Sequence, residues 1–308
     1  MFTIQTNRTG EPVRLDWLLD SKHILDGGYI SWNFGLGEQP IKWFAQRIKY
    51  MGGVIVVDDQ SQHRIDVYAD YKNRRKDKKA VDPVWAMKAK NVARFRTNFL
   101  LNDTMMFPLL VKGYEADDII ALMHLHNTYW GSKLDYQIIS EDKDYRQCPN
   151  FGPHMYDRYG QTTGDRAVKS PKYAIQPMEP WEWSFYQMMF GDKSDSIPRL
   201  LPSHPTRAKE LWAECFNADS PLSSFNTAFA LIGDDAIRNL HLVLMPSPNL
   251  RSDWNELKAN PSILLQTIAS EQYWDYRMFD MRFVQSIDDM HTEWESKADA
   301  AFDDDSTW

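Results

Sequence analysis

Three short apolar runs in the first half of the chain predict strands. Residues 54–57 are all β-branched and apolar, which is typical of a strand buried on both faces of a parallel sheet. Residues 24–27 form a shorter run that ends in Asp26 and a glycine, and residues 136–139 form a third run that acids follow closely. The pattern therefore predicts three strands, each with a carboxylate at or near its end.

Helical spacing fills the stretches around these strands. Apolar residues recur at helical intervals after Pro40, and again over about 84–101. A third helix is predicted from Glu115 to Trp130, with Gly131 as its stop. Alternation of strands and helices predicts an α/β fold with a right-handed, mainly parallel central sheet flanked by helices.

The carboxyl ends of parallel strands share one edge of a sheet, and ligands gather beyond that edge. Asp26, Asp58 and Asp142 follow the three predicted strands, so we expect them to lie together there. The second half of the chain differs in pattern, with loops and a hairpin predicted over 150–180 and helices from Trp181 onward.

Composition places the chain among ordinary globular proteins, with 43% hydrophobic and 25% charged residues. No apolar run approaches the roughly 20 residues of a membrane span, and the N-terminal residues lack the apolar stretch of a signal peptide. The two cysteines, Cys148 and Cys215, are too few for a disulfide framework or a four-cysteine zinc site. We therefore expect a cytoplasmic protein without a membrane partner.

The formal net charge of −8 hides an uneven distribution. The last 16 residues contain six acids and one base, so about −3 remains for the rest of the chain. Residues 72–96, in contrast, carry a net charge of +8 from ten bases against Asp77 and Asp82. A segment of this charge is the electrostatic signature of a protein that binds a polyanion such as nucleic acid.

Carboxylates concentrate in three short segments, 113–118, 140–144 and 191–195. Magnesium and manganese prefer such oxygen ligands, whereas two unpaired carboxylates at 4 Å repel by about 4 kcal/mol at an effective dielectric of 20. Any one of these segments alone is more often a helix cap or a solvated face. Three in one chain, each after an apolar element, favour a divalent-metal site instead.

The same segments resemble, in order, the motifs of the 5′-nuclease family of flap endonucleases, polymerase-linked 5′–3′ exonucleases and stand-alone phage exonucleases. Residues 113–120 (Gly-Tyr-Glu-Ala-Asp-Asp-Ile-Ile) resemble its acidic helix, and residues 140–147 (Ser-Glu-Asp-Lys-Asp-Tyr-Arg-Gln) resemble its Ser-x-Asp-Lys-Asp-x-x-Gln motif. Residues 191–198 (Gly-Asp-Lys-Ser-Asp-Ser-Ile-Pro) are similar to Gly-Asp-x-Ser-Asp-Asn-Ile-Pro. Residues 70–75 (Asp-Tyr-Lys-Asn-Arg-Arg) resemble the start of the family's helical arch.

The resemblance implies roles for particular residues. Metal ligation, direct or through water, falls on Asp26, Asp58, Glu115, Asp117, Asp118, Asp142, Asp144, Asp192 and Asp195. Catalytic contact with the scissile phosphate or the threaded strand falls on Lys72 and Arg75. Further DNA contacts, including base stacking by the tyrosine, fall on Tyr71, Arg74, Lys76, Lys78, Lys79, Lys143 and Lys193. Asp59 lies next to Asp58, so the sequence leaves open which of these two residues is the metal ligand.

Two departures from the family pattern bear on duplex binding. No glycine occurs from Asp192 to Ile232, where the family has a glycine-rich helix–hairpin–helix that grips duplex DNA and often binds potassium. Close approach of backbone to phosphate usually requires glycine, so we expect an altered duplex grip and no potassium site. Ser196 stands where the family motif has asparagine.

The resemblance also implies an organisation. We expect a PIN-like nuclease domain over 1–180 with a basic arch at about 68–101. A C-terminal helical, helix–hairpin–helix-like DNA-binding region is expected over 181–290. Residues 291–308 are predicted to form a disordered acidic tail, with contact to replication proteins as a hypothesis for its role.

The implied function is a 5′–3′ exonuclease or flap endonuclease of replication or primer removal. It would act as a monomer on DNA with 5′ ends or flaps and on RNA–DNA hybrids, with two Mg²⁺ or Mn²⁺ ions as cofactors. For a phage-encoded chain this places it in the host cytoplasm. A PIN-type ribonuclease and a non-catalytic junction-binding relative remain alternatives, and the sequence leaves exonuclease against endonuclease preference open.

Overall fold

A computed structural model of the chain describes residues 22–27, 53–84, 86–87, 89–90, 107–129, 136–151, 155–156, 179–270, 272–274 and 278. The predicted helix after Pro40, the C-terminal part of the helix over 84–101 and the acidic tail lie outside these residues. The strands are β1 (Lys22–Asp26), β2 (Gly53–Val57), β3 (Phe107–Leu110), β4 (Tyr136–Ile139) and β5 (Met155–Tyr156). The helices of the first half are α1 (Gln62–Val67), α2 (Asn73–Val81) and α3 (Ala116–Tyr129).

The second half of the described chain is helical, as the sequence predicted from Trp181 onward. Its helices are α4 (Pro180–Phe190), α5 (Pro205–Cys215), α6 (Pro221–Ile232), α7 (Asp234–Val243), α8 (Trp254–Ala259) and α9 (Pro261–Ala269). Short 3-10 turns occur at Lys143–Gln147, Pro248–Leu250 and Gln272–Trp274. No helix in the described part of the chain is long and apolar enough to cross a membrane.

The sheet has the order β3-β2-β1-β4-β5, and all four described strand pairs are parallel. The predicted α/β architecture and the three predicted strands are thus confirmed. Two strands were not predicted. β3 contains Pro108, which lacks an N–H and is tolerated here because β3 lies at the sheet edge. β5 has two residues and pairs in parallel with β4, while the rest of the hairpin predicted over 150–180 lies outside the described residues.

The basic segment becomes helical earlier than the sequence predicted. α2 begins at Asn73. Residues 83, 84, 86, 87, 89 and 90, which the structure also describes, are helical as well. Lys72, immediately before α2, has a left-handed backbone with φ of 56°. Five of the bases of this segment therefore lie on α2, namely Arg74, Arg75, Lys76, Lys78 and Lys79.

One continuous hydrophobic core joins the sheet to the C-terminal helices. The α3 interior is almost wholly apolar, and Ile119, Ile120 and Leu122 are at most 1% exposed. Among the C-terminal helices, Phe185 of α4 contacts Trp212 of α5 with ring centroids 5.4 Å apart. The abundant tryptophan and phenylalanine of this half thus serve packing.

Buried hydrogen bonds cross the predicted domain boundary near residue 180. Gln147 Nε2 donates to the Val243 carbonyl at 2.8 Å, and the Ser247 N–H donates to Asp118 Oδ1 at 2.8 Å. The division into 1–180 and 181–290 stays a prediction. The sheet and the C-terminal helices nevertheless share both core and polar contacts.

Candidate metal and nucleic-acid site

The acids that follow the strands lie along the carboxyl edge of the sheet, as predicted. Asp26 is the last residue of β1 and is 8% exposed. Its Oδ2 accepts a hydrogen bond from Ser140 Oγ at 2.9 Å, and that hydroxyl accepts one from the Asp142 N–H at 3.2 Å. A hydrogen-bonded chain therefore joins the end of β1 to the residues after β4.

Asp58 and Asp59 follow β2 and take different positions. Asp58 Oδ1 accepts from the Ala116 N–H at 3.0 Å, at the N-terminus of α3, and the side chain stays exposed. Asp59 Oδ2 accepts from the Gly113 N–H at 2.8 Å, and this bond holds the pKa of Asp59 below its usual value. Asp59 thus secures the turn before α3, whereas Asp58 faces solvent.

The acidic segment 113–118 starts α3 and places its carboxylates in different surroundings. Glu115 and Asp118 share one partner, Arg64, which confirms that they lie on the same side of the helix. Asp117 points instead into a cleft. Burial raises the pKa of Asp117 well above its usual value, and the charges of Asp118 and Glu115 raise it further.

Asp118 lies apart from that cleft. It is fully buried, and its two oxygens accept hydrogen bonds from both terminal nitrogens of Arg64, at 2.7 and 2.8 Å. The Ser247 N–H supplies a further bond at 2.8 Å. The carboxylate of Asp118 is therefore already satisfied by hydrogen bonds within the protein, and its role as a metal ligand stays a prediction.

The segment 140–144 forms a turn after β4. Asp142 caps the 3-10 turn Lys143–Gln147, and its Oδ1 accepts from the Asp144 N–H at 2.9 Å. Aspartate side chains readily close such turns by bonding a backbone N–H two residues on. Asp144 accepts from Gln187 Nε2 at 2.6 Å, and burial, followed by the charge of Asp142, raises its pKa well above the usual value.

The segment 191–195 forms a tight turn after α4. Asp192 Oδ1 accepts from the Ser194 N–H at 2.7 Å. Lys143 Nζ stands 3.1 Å from Asp192 and 4.0 Å from Asp144. Burial would raise the pKa of Asp192, but Lys143 and Ser194 outweigh it and lower the pKa. Lys143 therefore joins the segment 140–144 to the segment 191–195.

The start of the basic helix is fastened to this turn. The Lys72 N–H donates to the Asp195 carbonyl at 2.8 Å, and the Arg74 N–H donates to Ser196 Oγ at 3.1 Å. Lys72 and Ser196 both adopt left-handed backbones, with φ of 56° and 65°. Non-glycine residues in this region are strained by about 1–3 kcal/mol and concentrate at functional sites.

The side chains of Lys72 and Arg75 reach into the acidic cluster. Lys72 Nζ lies 2.5 Å from Glu115 Oε1 and 3.8 Å from Asp195 Oδ2, and Arg75 Nη2 lies 2.5 Å from Asp195 Oδ1. Burial alone would raise the pKa of Glu115, but Lys72 and Arg64 together lower it below its usual value. Lys72 and Arg75, the two basic residues predicted to act in catalysis, therefore lie among the predicted metal ligands.

The remaining predicted DNA contacts divide into three groups. Arg74 and Lys193 are exposed, and Lys143 is exposed while it pairs with Asp192. The backbones of Lys76, Lys78 and Lys79 lie in α2, and their side chains are outside the described part. Tyr71 is 5% exposed, its hydroxyl donates to Glu115 Oε2 at 2.9 Å, and Lys72 Nζ lies 5.2 Å from its ring centroid. Tyr71 is thus largely buried in this structure, and its predicted stacking on a base stays a prediction.

One cleft collects carboxylates from all three acidic segments, and its lining includes Arg64, Tyr71, Asp117, Asp144, Asp192 and Asp195. Within the described ranges, no three acids, histidines or cysteines converge closely enough to hold a metal ion as they are placed. An ion here would require these side chains to turn toward it from their lysine and arginine partners. Their chemistry fits hard divalent cations, which take oxygen ligands.

Sequence reasoning missed two residues that hold this cluster together. Arg64 bonds Glu115 and Asp118, and Gln187 bonds Asp144. An isolated arginine on the short helix α1 and a glutamine in the middle of α4 give no local signal of such contacts. Their partners lie 43 to 54 positions away along the chain.

A parallel α/β sheet with this acidic carboxyl edge and an adjoining basic helix defines a PIN-like, resolvase-like domain. Residues 34–173 match the family model of the 5′-3′ exonuclease, N-terminal resolvase-like domain. This match confirms the resemblance of the chain to the 5′-nuclease family that its motifs indicated.

Individual relatives agree with this assignment. DNA polymerase I of Rhizobium leguminosarum is 31% identical over 115 residues, which are 36% of this chain but only 10% of that protein. Among solved structures, the zinc-bound 5′-exonuclease of bacteriophage T5 is 15% identical over 82% of this chain and 97% of that one, with a TM-score of 0.53. A complex of a T5 flap endonuclease variant with DNA and metal ions is 16% identical over 81% and 99%, again with a TM-score of 0.53. At these identities the structural likeness establishes the fold.

Proposed function

We propose that this chain is a metal-dependent 5′-nuclease that hydrolyses DNA phosphodiesters at 5′ ends or flaps, and also acts on RNA–DNA hybrids. The observation that carries the proposal is the cleft in which Asp117, Asp144, Asp192 and Asp195 meet, with Lys72 and Arg75 beside them. Acids gathered this closely with bases suit a site that binds divalent cations and phosphate together.

The carboxylates that would hold Mg²⁺ or Mn²⁺ are those of Asp26, Asp58, Glu115, Asp117, Asp142, Asp144, Asp192 and Asp195. Two ions at these oxygens would supply an activated water and offset the charge on the phosphodiester. We assign Asp118 a supporting role, because Arg64 and Ser247 already occupy its oxygens. Asp58 is preferred to Asp59, whose carboxylate is bonded to the turn.

Lys72 and Arg75 would serve the substrate strand. In the structure both cations neutralise Glu115 and Asp195. A phosphate that enters with its metal ions offers these cations a second anionic partner, so they are placed to offset charge as the phosphodiester is cleaved. Tyr71 would hold Glu115 in position through its hydroxyl hydrogen bond rather than stack on a base.

Further bases on α2 and in the segments 140–144 and 191–195 would bind the sugar–phosphate backbone. These are Arg74, Lys76, Lys78, Lys79, Lys143 and Lys193. Contacts of this kind do not depend on base sequence, which suits an enzyme that recognises a strand end or a junction. The DNA complex of the T5 relative supports DNA as the substrate class.

We further propose that the helical second half contributes a duplex grip without potassium, because it lacks glycine from Asp192 to Ile232. The arch, a monomeric state, a cytoplasmic setting and a replication-protein contact through the tail belong to the same proposal.

One assay tests the activity. The protein would be incubated with 5′-labelled flap DNA, blunt duplex and single-stranded RNA in Mg²⁺ or Mn²⁺, alongside Asp144→Asn and Asp219→Asn. Asp144→Asn keeps the acceptor oxygen for Gln187 but removes the charge in the cleft, so we expect at least a hundredfold slower DNA cleavage. Asp219 is an exposed aspartate between α5 and α6, and its substitution should leave the rate unchanged.

Each other outcome has a defined meaning. Failure of the wild type to cleave any DNA would falsify the proposal. Cleavage of RNA alone would identify a PIN-type ribonuclease, and tight flap binding without cleavage would identify a non-catalytic junction-binding protein.

A further inference from the structure

Arg64 uses every hydrogen-bond donor of its guanidinium group inside the protein. It is 2% exposed on the short helix α1. Nε donates to the Leu242 carbonyl at 3.1 Å, and Nη2 donates to the Leu244 carbonyl at 3.1 Å and to Asp118 Oδ1 at 2.8 Å. Nη1 donates to Asp118 Oδ2 at 2.7 Å and to Glu115 Oε2 at 2.9 Å. An arginine has five N–H donors, and all five are used here.

These five bonds join two helix ends of opposite polarity. Leu242 and Leu244 lie at the C-terminal end of α7, where carbonyl groups lack onward helical partners and the helix dipole favours a cation. Glu115 and Asp118 lie at the N-terminal end of α3, where the dipole favours anions. Arg64 therefore ties the start of the acidic helix to the C-terminal helices.

These contacts hold one carboxylate oxygen of Glu115 in place, while the other oxygen faces the acidic cluster. Oε2 accepts from Arg64 Nη1 and from the Tyr71 hydroxyl, both at 2.9 Å. Oε1 faces Lys72 Nζ at 2.5 Å. The carboxylate is thus held at one side and presented at the other.

We propose that Arg64 is a positioning residue for the metal site, acting through Glu115 and the first turn of α3. The inference rests on the proposed metal-dependent activity and adds a residue outside the acidic segments. Groups that orient metal ligands from behind typically change metal affinity or activity by roughly 10–100-fold when they are removed.

Lysine at position 64 is the informative substitution. It keeps the positive charge, but its single ammonium group has three donors and cannot bridge two carboxylates and two carbonyls in one plane. A matched control exists in Arg251, which is 3% exposed and bonds Asp253 and the Tyr273 carbonyl in the C-terminal half. Arg251→Lys breaks a comparable buried network, whose partners are Asp253 and the Tyr273 carbonyl.

The experiment compares wild type, Arg64→Lys and Arg251→Lys in three measurements. These are Mn²⁺ affinity by isothermal titration calorimetry, urea unfolding, and the Mn²⁺ dependence of flap cleavage. We expect both variants to unfold at lower urea, and only Arg64→Lys to bind Mn²⁺ roughly tenfold or more weakly. The half-saturating Mn²⁺ concentration for cleavage should rise in parallel, while the KM for DNA stays near that of wild type.

Equal Mn²⁺ affinity in the two variants, with equal loss of stability, would overturn the proposal. Where Arg64→Lys does not fold, Tyr71→Phe removes the second donor to Glu115 Oε2, together with a longer hydrogen bond of 3.5 Å to Asp195 Oδ2. An unchanged Mn²⁺ affinity in Tyr71→Phe would then show that this oxygen need not be held. A wild type that neither binds Mn²⁺ nor cleaves DNA refutes the proposed function itself, so the two failures are distinguishable.

Discussion

At the scale of single residues, neighbouring acids of the same motif take different roles. Asp117 lines the cleft, whereas Asp118 is fully buried against Arg64. Consecutive residues of a helix point about 100° apart, so two adjacent carboxylates cannot face the same partner. The direction in which each side chain points decides its electrostatic surroundings. Asp117 lies among like charges, and burial followed by those charges raises its pKa.

The position of Lys72 yields a prediction about catalysis. Lys72→Met removes the ammonium group from beside Glu115 and Asp195 while keeping a long unbranched side chain. Loss of a preorganised cation at the reacting phosphate should lower kcat for flap cleavage by about a hundredfold at saturating Mg²⁺. A single-turnover assay measures the cleavage rate, and Lys209→Met, at an exposed position on α5, is the control. An unchanged kcat in Lys72→Met would remove this lysine from the mechanism.

At the scale of elements, the end of α4 determines where the third acidic segment lies. Gly191 ends the helix with φ of 65° and ψ of −178°, a conformation essentially confined to glycine. A Cβ at Gly191 would lie 2.5 Å from the carbonyl oxygens of Ile197 and Pro198. The chain therefore reverses closely enough to bring Asp192 and Asp195 back to the sheet edge.

Two glycine substitutions separate conformational strain from this close approach. Gly233, between α6 and α7, has a similar conformation, with φ of 76° and ψ of −144°, but no atom within 4 Å of an added Cβ. Gly233→Ala should destabilise folding by about 2 kcal/mol, the typical strain of such a residue. Gly191→Ala should cost about 2 kcal/mol more, because the backbone must also shift. Urea unfolding of both variants measures the difference, and equal losses would contradict the role of the close approach.

Sequence patterns predicted the helices and strands better than the tertiary surroundings of their residues. The strand before Asp58 and the helix from Glu115 were evident because a fully buried strand and a long helix have strong apolar patterns. β3 was missed because Pro108 argues against a strand unless the edge position is known. The turn at Asp142 was missed because its geometry depends on one side-chain bond to a backbone N–H.

At the scale of the whole molecule, a half-buried histidine pair joins α1 to the C-terminal helices. His63 lies 6.0 Å from His241 of α7 and 5.0 Å from Trp254 of α8, measured between ring centroids. Burial, and then the charges of His241 and Arg64, lower the pKa of His63 to about 3. Burial, and then Lys258, lowers the pKa of His241 to about 4.

The sign of the resulting pH dependence follows from these values. The unfolded chain binds a proton at each histidine near pH 6.5, whereas the folded protein binds it only near pH 3 to 4. Above pH 6.5 both states are neutral and the pair has no effect. As the pH falls below 6.5, the unfolded state gains protons that the folded state does not, so stability decreases.

We expect each half-buried histidine to reduce the free energy of unfolding by at most about 2 kcal/mol between pH 7 and pH 5. The double variant His63→Phe/His241→Phe keeps two half-buried rings without a titrating nitrogen, so its stability should fall less over this range. His204→Phe, at the exposed start of α5, is the control and should behave as wild type does. Identical pH dependence of urea unfolding in the double variant would refute the assignment.

The sequence by itself determined the class of fold, the order of the acidic segments and the position of Asp26, Asp58 and Asp142 after the strands. These features are local, because strand and helix periodicity and the residue after each strand are set by neighbours in the chain. Only the tertiary structure decided which oxygen faces the cleft, which carboxylate is held by the protein, and that Arg64 connects α3 to α7. Those outcomes depend on partners up to 180 positions away, which packing of the whole core brings together.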